Sequence, residues 1–309
     1  MSSNTQSRSV VGKDDRCAKE TAHVYDTAGS RYLQYADGDH ADLFAFKGSY
    51  SFADREIWSR LDAILVDLRS SGRDAIRILD AGCGPGTWLL RLALRARDLG
   101  FTDIKARGFD ISAEMIALAH HRLGLAGDPH IGVRFEIGDV VDALEDQDDG
   151  SYDLTICLYG VLNHLDGRQR VRAAKALARV TDGDLLVSVR TVGSQPSIYF
   201  TGVSDARSFH QDNEADRLDI DLADGRHIAF SSHLFTADEL RSLFEGLAID
   251  ELVGLDLFHG RFAPDPRWNP ANLGEVGLRE GLERLERLCA HDPAFINRAA
   301  HALLHARTC

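Results

Sequence analysis

Ile76-Arg77-Ile78-Leu79-Asp80-Ala81-Gly82-Cys83-Gly84-Pro85-Gly86-Thr87 runs from an apolar, β-branched segment straight into a glycine-rich turn. Trp88-Leu89-Leu90-Arg91-Leu92-Ala93-Leu94 then resumes with helix-forming residues and no further turn signal. The stretch predicts a strand, a tight loop and a helix start. Glycine tolerates positive φ and has no Cβ, so Gly82, Gly84 and Gly86 let the backbone pass close beneath a ligand at the helix's amino end. A dinucleotide-binding loop begins in the same way, but its third glycine stands three positions after its second. Here Thr87 holds that position and Gly86 comes one residue early.

With an acidic residue ahead of the first glycine, Asp80-Ala81-Gly82-Cys83-Gly84-Pro85-Gly86 closely resembles the first motif of the class I methyltransferases that use S-adenosylmethionine. The resemblance implies a Rossmann-like α/β fold, a seven-stranded sheet with helices on both faces and its last strand antiparallel. It also implies a loop that holds the methionine part of the cofactor, with Asp80, Gly82, Cys83, Gly84 and Gly86 as its residues. Ile104 to Asp110 reads as the second strand, ending on a carboxylate at the edge where such sheets bind ligands. Asp110 can accept from both ribose hydroxyls, a need shared by nicotinamide and adenosyl cofactors. Ile111-Ser112-Ala113-Glu114-Met115 resembles the family segment in which a serine caps the next helix and apolar groups line the adenine. After a third strand at 133–137, the resemblance sets Asp139 against the adenine amino group, with Val140 beside it; a turn aspartate is the alternative.

Residues 16–50 hold Tyr25, Tyr32, Tyr35, Phe44, Phe46 and Tyr50, without clean helical spacing. Val24 to Tyr32 looks like the Tyr-Asp-x-x-Ala-x-x-Tyr signature that precedes the core in many small-molecule methyltransferases and closes over the cofactor. Tyr25 and Tyr32 are therefore expected at the cofactor; packing onto the core is the alternative, and both can hold together. Ile57, Trp58, Leu61, Ile64, Leu65 and Leu68 form a helical stripe.

Tyr152 to Tyr159 predicts the strand that faces the reactive methyl, with Leu158 at the cofactor. It carries no Asn-Pro-Pro-Tyr or Asp-Pro-Pro-Tyr element, the signature of many enzymes that methylate nucleobase or glutamine amino groups. Its carboxyl end also lacks the aspartate with which catechol-type enzymes hold magnesium, since Asp153 lies at its beginning, so no metal is expected. His164 lies just past its end and is a candidate base, with Tyr159 as its polar companion. Capping or packing of the following helix is the plainer role for His164. His210, His233 and His259 are further candidates. A basic helix at 166–180, a fifth strand at 183–190 and a hairpin at 217–235 around Asp224-Gly225 come next. Thr236 and Glu239 mark a helix start, and Leu247 to Phe258 a sixth strand. A helix follows from about 273 to 289; residues 297–306 are assigned to the last strand on family resemblance, against their alanine- and leucine-rich helical character.

A 309-residue chain with 44% apolar residues can bury a large core. The expected organisation is an amino-terminal tail and aromatic lid at 1–51, then a methyltransferase domain at 52–309 with insertions at about 191–235 and 259–293. No apolar run reaches a membrane span and no signal peptide is visible, so a soluble, cytoplasmic protein is expected. Cys17, Cys83, Cys157, Cys289 and Cys309 are odd in number and scattered, suggesting reduced thiols. The formal charge of −13 opposes a nucleic-acid substrate. The basic residues Arg168, Arg170, Arg172, Lys175 and Arg179 read as a solvated helix face. Methyl transfer from S-adenosylmethionine to a small-molecule oxygen or nitrogen acceptor is the expected activity. A protein methyltransferase, a noncatalytic cofactor-binding protein and a nicotinamide oxidoreductase are the rivals.

Overall fold

The computed structural model describes residues 13–37, 42–47, 50–126, 131–194, 206–259 and 276–308. Its centre is a sheet of β1 (Ala75–Ala81), β2 (Asp103–Asp110), β3 (Ile131–Ile137), β4 (Tyr152–Cys157), β5 (Thr181–Arg190), β9 (Ala248–Leu255) and β10 (His301–Arg307). The spatial order is β3-β2-β1-β4-β5-β10-β9, with β10 antiparallel to both of its neighbours, as expected. Parallel strands packed on both faces need apolar residues on both, and β4 is buried along its whole length.

One face is covered by α3 (Ser51–Ser70), α4 (Thr87–Asp98) and α5 (Ala113–Ala126), through Ile57, Leu61, Leu89 and Ala93 among others. The other is covered by the single-turn α6 (Asp142–Glu145), α7 (Gly167–Val180) and α8 (Ala237–Leu243). Asp166 starts α7 with a reciprocal capping box to Gln169, and Thr236 caps α8 by accepting from Glu239 N. The helix α9 (Val276–Cys289) and the short α10 (Pro293–Ile296) precede β10. In β10, Ala302, Leu303, Leu304 and Ala306 are all buried between β5 and β9, and that two-faced burial outweighs the helical propensity of alanine and leucine.

Three expectations need correction. The amino-terminal segment is regular: α1 (Lys13–Ala28) and α2 (Ser30–Asp37) meet at Gly29, whose φ of 52° breaks the run. Its helicity is masked in sequence because α1 uses two faces. Val24 and Ala28 are buried in the core shared with the small sheet, while Ala18, Thr21 and Tyr25 line the cleft. The insertion after β5 is a three-stranded antiparallel sheet, not a hairpin alone: β6 (Ala206–Asp212) adds to β7 (Arg217–Leu222) and β8 (His227–Ser231). The polar run Arg207-Ser208-Phe209-His210-Gln211 hid β6, since one face of the strand is open to solvent. Arg170 is buried rather than solvated; its guanidinium pairs with Asp216 at 3.1 Å and donates to Leu165 O. Tyr35's side chain, the loop at 260–270 and the start of the helix at 273–275 lie outside the described residues.

Among the described residues no helix is long and apolar enough to cross a membrane. Leu218, Ile220 and Leu222 of β7 and Phe230 of β8 pack with Val24, Ala28 and Met115, so the small sheet and α1 share a core above the carboxyl ends of the large sheet.

Candidate functional site

A cleft in two lobes opens at those carboxyl ends. The first lobe, about 760 Å³ with its mouth, is lined by Gly82, Gly84, Asp110, Ile111, Met115, Asp139 and Val140. The second, about 690 Å³, is lined by Asp80, Cys83, Pro85, Thr87, Trp88, Arg91, Tyr50 and Asp54. Tyr25, Tyr32, Gly82, Gly84, Leu158 and Tyr159 line both, which sets the two lobes side by side about the glycine turn.

The glycine turn sets the floor. Gly82, Gly84 and Gly86 have φ of 76°, 51° and 78°, a region costly for side chains. Their surroundings differ. A Cβ on Gly82 would run into Val161, and one on Gly86 into Phe135 and Ala119. At Gly84 only Tyr32 comes within 4 Å, at 3.9 Å, so a side chain there would enter the cleft. Gly86 is thus the single expected cofactor residue that does not line the cleft; it makes room for helix packing.

Asp110 is half-buried and uses both oxygens locally. Oδ2 accepts from Gly84 N and Oδ1 from Ser112 N, each at 2.9 Å, which ties the glycine turn to the start of α5. Each oxygen keeps a second lone pair for a ligand. Burial pushes the Asp110 carboxyl up to about 6, against the pull of those two amides. Asp80 is pushed up to about 8 by burial and then by the charge of Asp110, and its Oδ2 has no hydrogen-bond partner among the described residues. Asp139 accepts from Val141 N at 2.7 Å and is also raised by burial. A backbone cradle, two carboxylates with spare lone pairs and apolar walls at Ile111 and Met115 fit an adenosyl cofactor.

The roof is α1. Tyr25 Oη lies 3.0 Å from His164 Nε2, while His164 Nδ1 lies 2.9 Å from Ser231 O. The carbonyl can only accept, so Nδ1 carries the proton and Nε2 receives the phenol's hydrogen. Burial pushes the imidazole down to about 4, and Arg190 adds to this. One residue on, Asp26 accepts from Ser112 Oγ at 2.6 Å and from Glu114 N at 3.2 Å. The roof is therefore latched on both sides of the cleft.

Tyr159 is not the companion of His164. Its hydroxyl donates to Asp54 on α3, and burial, then the Asp54 charge, raises the phenol well above its ordinary range. The other histidine candidates also lie off the cleft lining. His210 is exposed on β6, His233 is held between Asp216 at 2.7 Å and Glu239 at 2.8 Å, and His259 is buried against Phe52. Sequence reading missed Asp54 and Arg91 as lining residues, because a polar residue beside the apolar stripe of α3 and an arginine on α4 have ordinary structural meanings, whereas Tyr50 belongs to the amino-terminal aromatics. Arg91 lies over Phe46 at 4.6 Å and Trp88 at 4.7 Å and donates to Leu43 O.

Residues 78–183 match the family model described as a methyltransferase domain. The magnesium protoporphyrin IX methyltransferase of Synechocystis PCC 6803, solved with bound S-adenosylmethionine, superposes with a TM-score of 0.52 at 15% identity, over 98% of this chain and 100% of its own. An S-adenosylmethionine-dependent methyltransferase from Clostridium acetobutylicum ATCC 824 gives 0.51 at 13% identity, over 94% and 99%. The cyclase SpnF gives 0.55 at 17% identity, over 94% and 96%. No curated protein matches the sequence. At these identities the structural likeness is one of fold.

Proposed function

We infer that this chain, a class I S-adenosylmethionine-dependent methyltransferase, methylates a small molecule held in the second lobe of its cleft. The observation that carries this reading is the roof. With α1 latched to His164 on one side and Ser112 on the other, the space beside the glycine turn is roofed by Tyr25 and Tyr32 and walled by Tyr50, Trp88 and Tyr159, an arrangement that suits a small acceptor better than a protein chain or a nucleic acid.

S-adenosylmethionine supplies a methyl already activated on a sulfonium, so the protein's task is to bind, align and exclude water. Asp110 is assigned to the ribose hydroxyls and Asp139 to the adenine amino group, with Ile111, Met115, Val140 and Leu158 as apolar walls. Gly82, Cys83 and Gly84, with Asp80 beneath them, take the methionine end under Tyr25 and Tyr32. His164 is assigned as a positioning residue. Its Nε2 is engaged by Tyr25 and its environment opposes protonation, which suits holding the roof better than receiving a proton. Tyr159, tied to Asp54, shapes the wall of the acceptor lobe.

Incubation with methyl-labelled S-adenosylmethionine separates the readings. Label is expected in extracted metabolites and not in lysate protein. Label confined to protein would overturn the small-molecule assignment, and cofactor binding with no labelled product in either fraction would indicate a noncatalytic protein.

A further inference from the structure

Asp54 is a carboxylate on the inner face of α3. It stands in the first turn, where the helix dipole favours an acid, but that benefit is available at the surface and Asp54 is 4% exposed. A buried carboxylate is costly unless a donor meets it. The hydroxyl of Tyr159 does so, and both residues line the second lobe.

Tyr159 is held for this contact in a strained conformation. Its φ of 58° lies in the left-handed region, which bulky residues rarely adopt. Two bonds to β5 fix it there, from its own N to Ser188 Oγ at 2.7 Å and from Gly160 N to Ser188 O at 3.0 Å. The ring stacks with Tyr50 at 5.9 Å between centroids and packs against Trp88 at 6.2 Å and His301 at 5.3 Å, which leaves it little freedom to turn. Tyr159 is half-buried and lines both lobes, so it stands where a cofactor in the first lobe would present its methyl to an acceptor in the second.

We propose that Tyr159 and Asp54 form a proton relay that takes the proton of an acceptor hydroxyl as its oxygen is methylated. The proposal rests on the small-molecule methyltransferase reading and names the acceptor's reacting group. While donating to Asp54, the phenol oxygen keeps lone pairs that can accept from a second O–H. As the acceptor oxygen attacks the methyl carbon, its proton passes to Tyr159 Oη and the Tyr159 proton passes to Asp54. The electron pair of the breaking carbon–sulfur bond stays on sulfur. The products are a methyl ether, neutral S-adenosylhomocysteine and protonated Asp54, which returns its proton to water by the same route once the ether leaves. Tyr159 does not serve alone, because burial, then the Asp54 charge, holds its phenol well above the ordinary range. Asp256 adds to this, Arg91 on α4 opposes it, and His301 meets the ring edge-on. A hydroxyl is the acceptor that needs a relay. A carboxylate is already ionised and a neutral amine attacks before it loses its proton, so neither gains from a base in the transition state.

The test uses the full chain, methyl-labelled S-adenosylmethionine and the metabolite fraction that the wild-type protein labels. Asp54→Asn is isosteric and still accepts from Tyr159, but it cannot take a proton. Near neutral pH its transfer rate should fall about 100-fold or more, with S-adenosylhomocysteine affinity within about threefold of wild type. The deficit should shrink by about tenfold per unit rise in pH, as the acceptor hydroxyl ionises unaided. Tyr159→Phe should lose a similar factor, and the double variant should be no slower than the slower single one, because the pair acts as a unit. If Asp54→Asn loses S-adenosylhomocysteine affinity, the pH dependence of Tyr159→Phe decides by the same criterion. Transfer by Asp54→Asn within about threefold of wild type, a deficit independent of pH, single losses that multiply in the double variant, or a product methylated on carboxylate, nitrogen or sulfur overturns the relay. A wild-type protein that labels no small molecule strikes instead at the reading on which the relay rests.

Discussion

The floor of the cleft and its roof are built in different ways. Floor residues fall in short contiguous runs at strand ends, 80–84 after β1, 110–115 after β2 and 138–140 after β3, and they act through backbone amides and short carboxylates. The roof and far wall depend on partners remote in sequence. Tyr25 meets His164 at a separation of 139 residues, Tyr159 meets Asp54 at 105, and Asp26 meets Ser112 at 86. A floor tied into the sheet ladder resists local opening, whereas a roof held by a few side-chain bonds can open without disturbing the sheet. This contrast is what a closed site needs if ligands are to enter and leave.

The largest effect should come from breaking the floor at Gly82. Gly82→Val combines a left-handed φ with a collision against Val161, and should destabilise the fold by about 3 kcal/mol or more in denaturant melts. Gly84→Val has the same backbone strain but opens onto the cleft. It should stay folded and lose at least about tenfold in S-adenosylhomocysteine affinity. A folded Gly84→Val protein that binds as wild type would show that the floor is not the cofactor cradle.

Asp110→Ala tests the floor's polar contacts at a smaller scale. Removing a carboxylate that accepts from Gly84 N and Ser112 N, with lone pairs to spare, should weaken cofactor binding about tenfold to a hundredfold by calorimetry. Unchanged affinity would reduce Asp110 to a turn-bracing residue.

The smallest effect belongs to the roof. Tyr25→Phe removes one hydrogen bond to His164, a change of about 1 kcal/mol, and should raise proteolysis of residues 13–37 roughly fivefold in the absence of S-adenosylhomocysteine. Addition of S-adenosylhomocysteine should slow cleavage of the wild-type segment. Equal cleavage in both proteins, with and without ligand, would mean that the Tyr25–His164 contact does not hold the roof.

What could be read from the chain follows the same division. Asp80 to Gly86, Asp110 and Asp139 were legible because a glycine turn, a strand-end carboxylate and a helix cap are local devices whose chemistry is written in adjacent residues. Gly86, in that same run, backs onto Phe135, and whether a missing Cβ makes room for a ligand or for a side chain depends on a strand about fifty residues away. The polar strand β6 escaped notice because a strand with a solvated face carries little hydrophobic signal.

The amino-acid sequence by itself determined strands β1 to β5, the switch at the glycine turn and the acidic residues at the strand ends, because backbone conformation and amphipathic period are set by near neighbours. Only the tertiary structure decided that Tyr25 rather than Tyr159 meets His164, and that Asp54 and Arg91 line the second lobe. Those facts depend on which side chains the sheet order β4-β5-β10-β9 and the folding-over of α1 bring within a few ångströms, and on how much water they exclude.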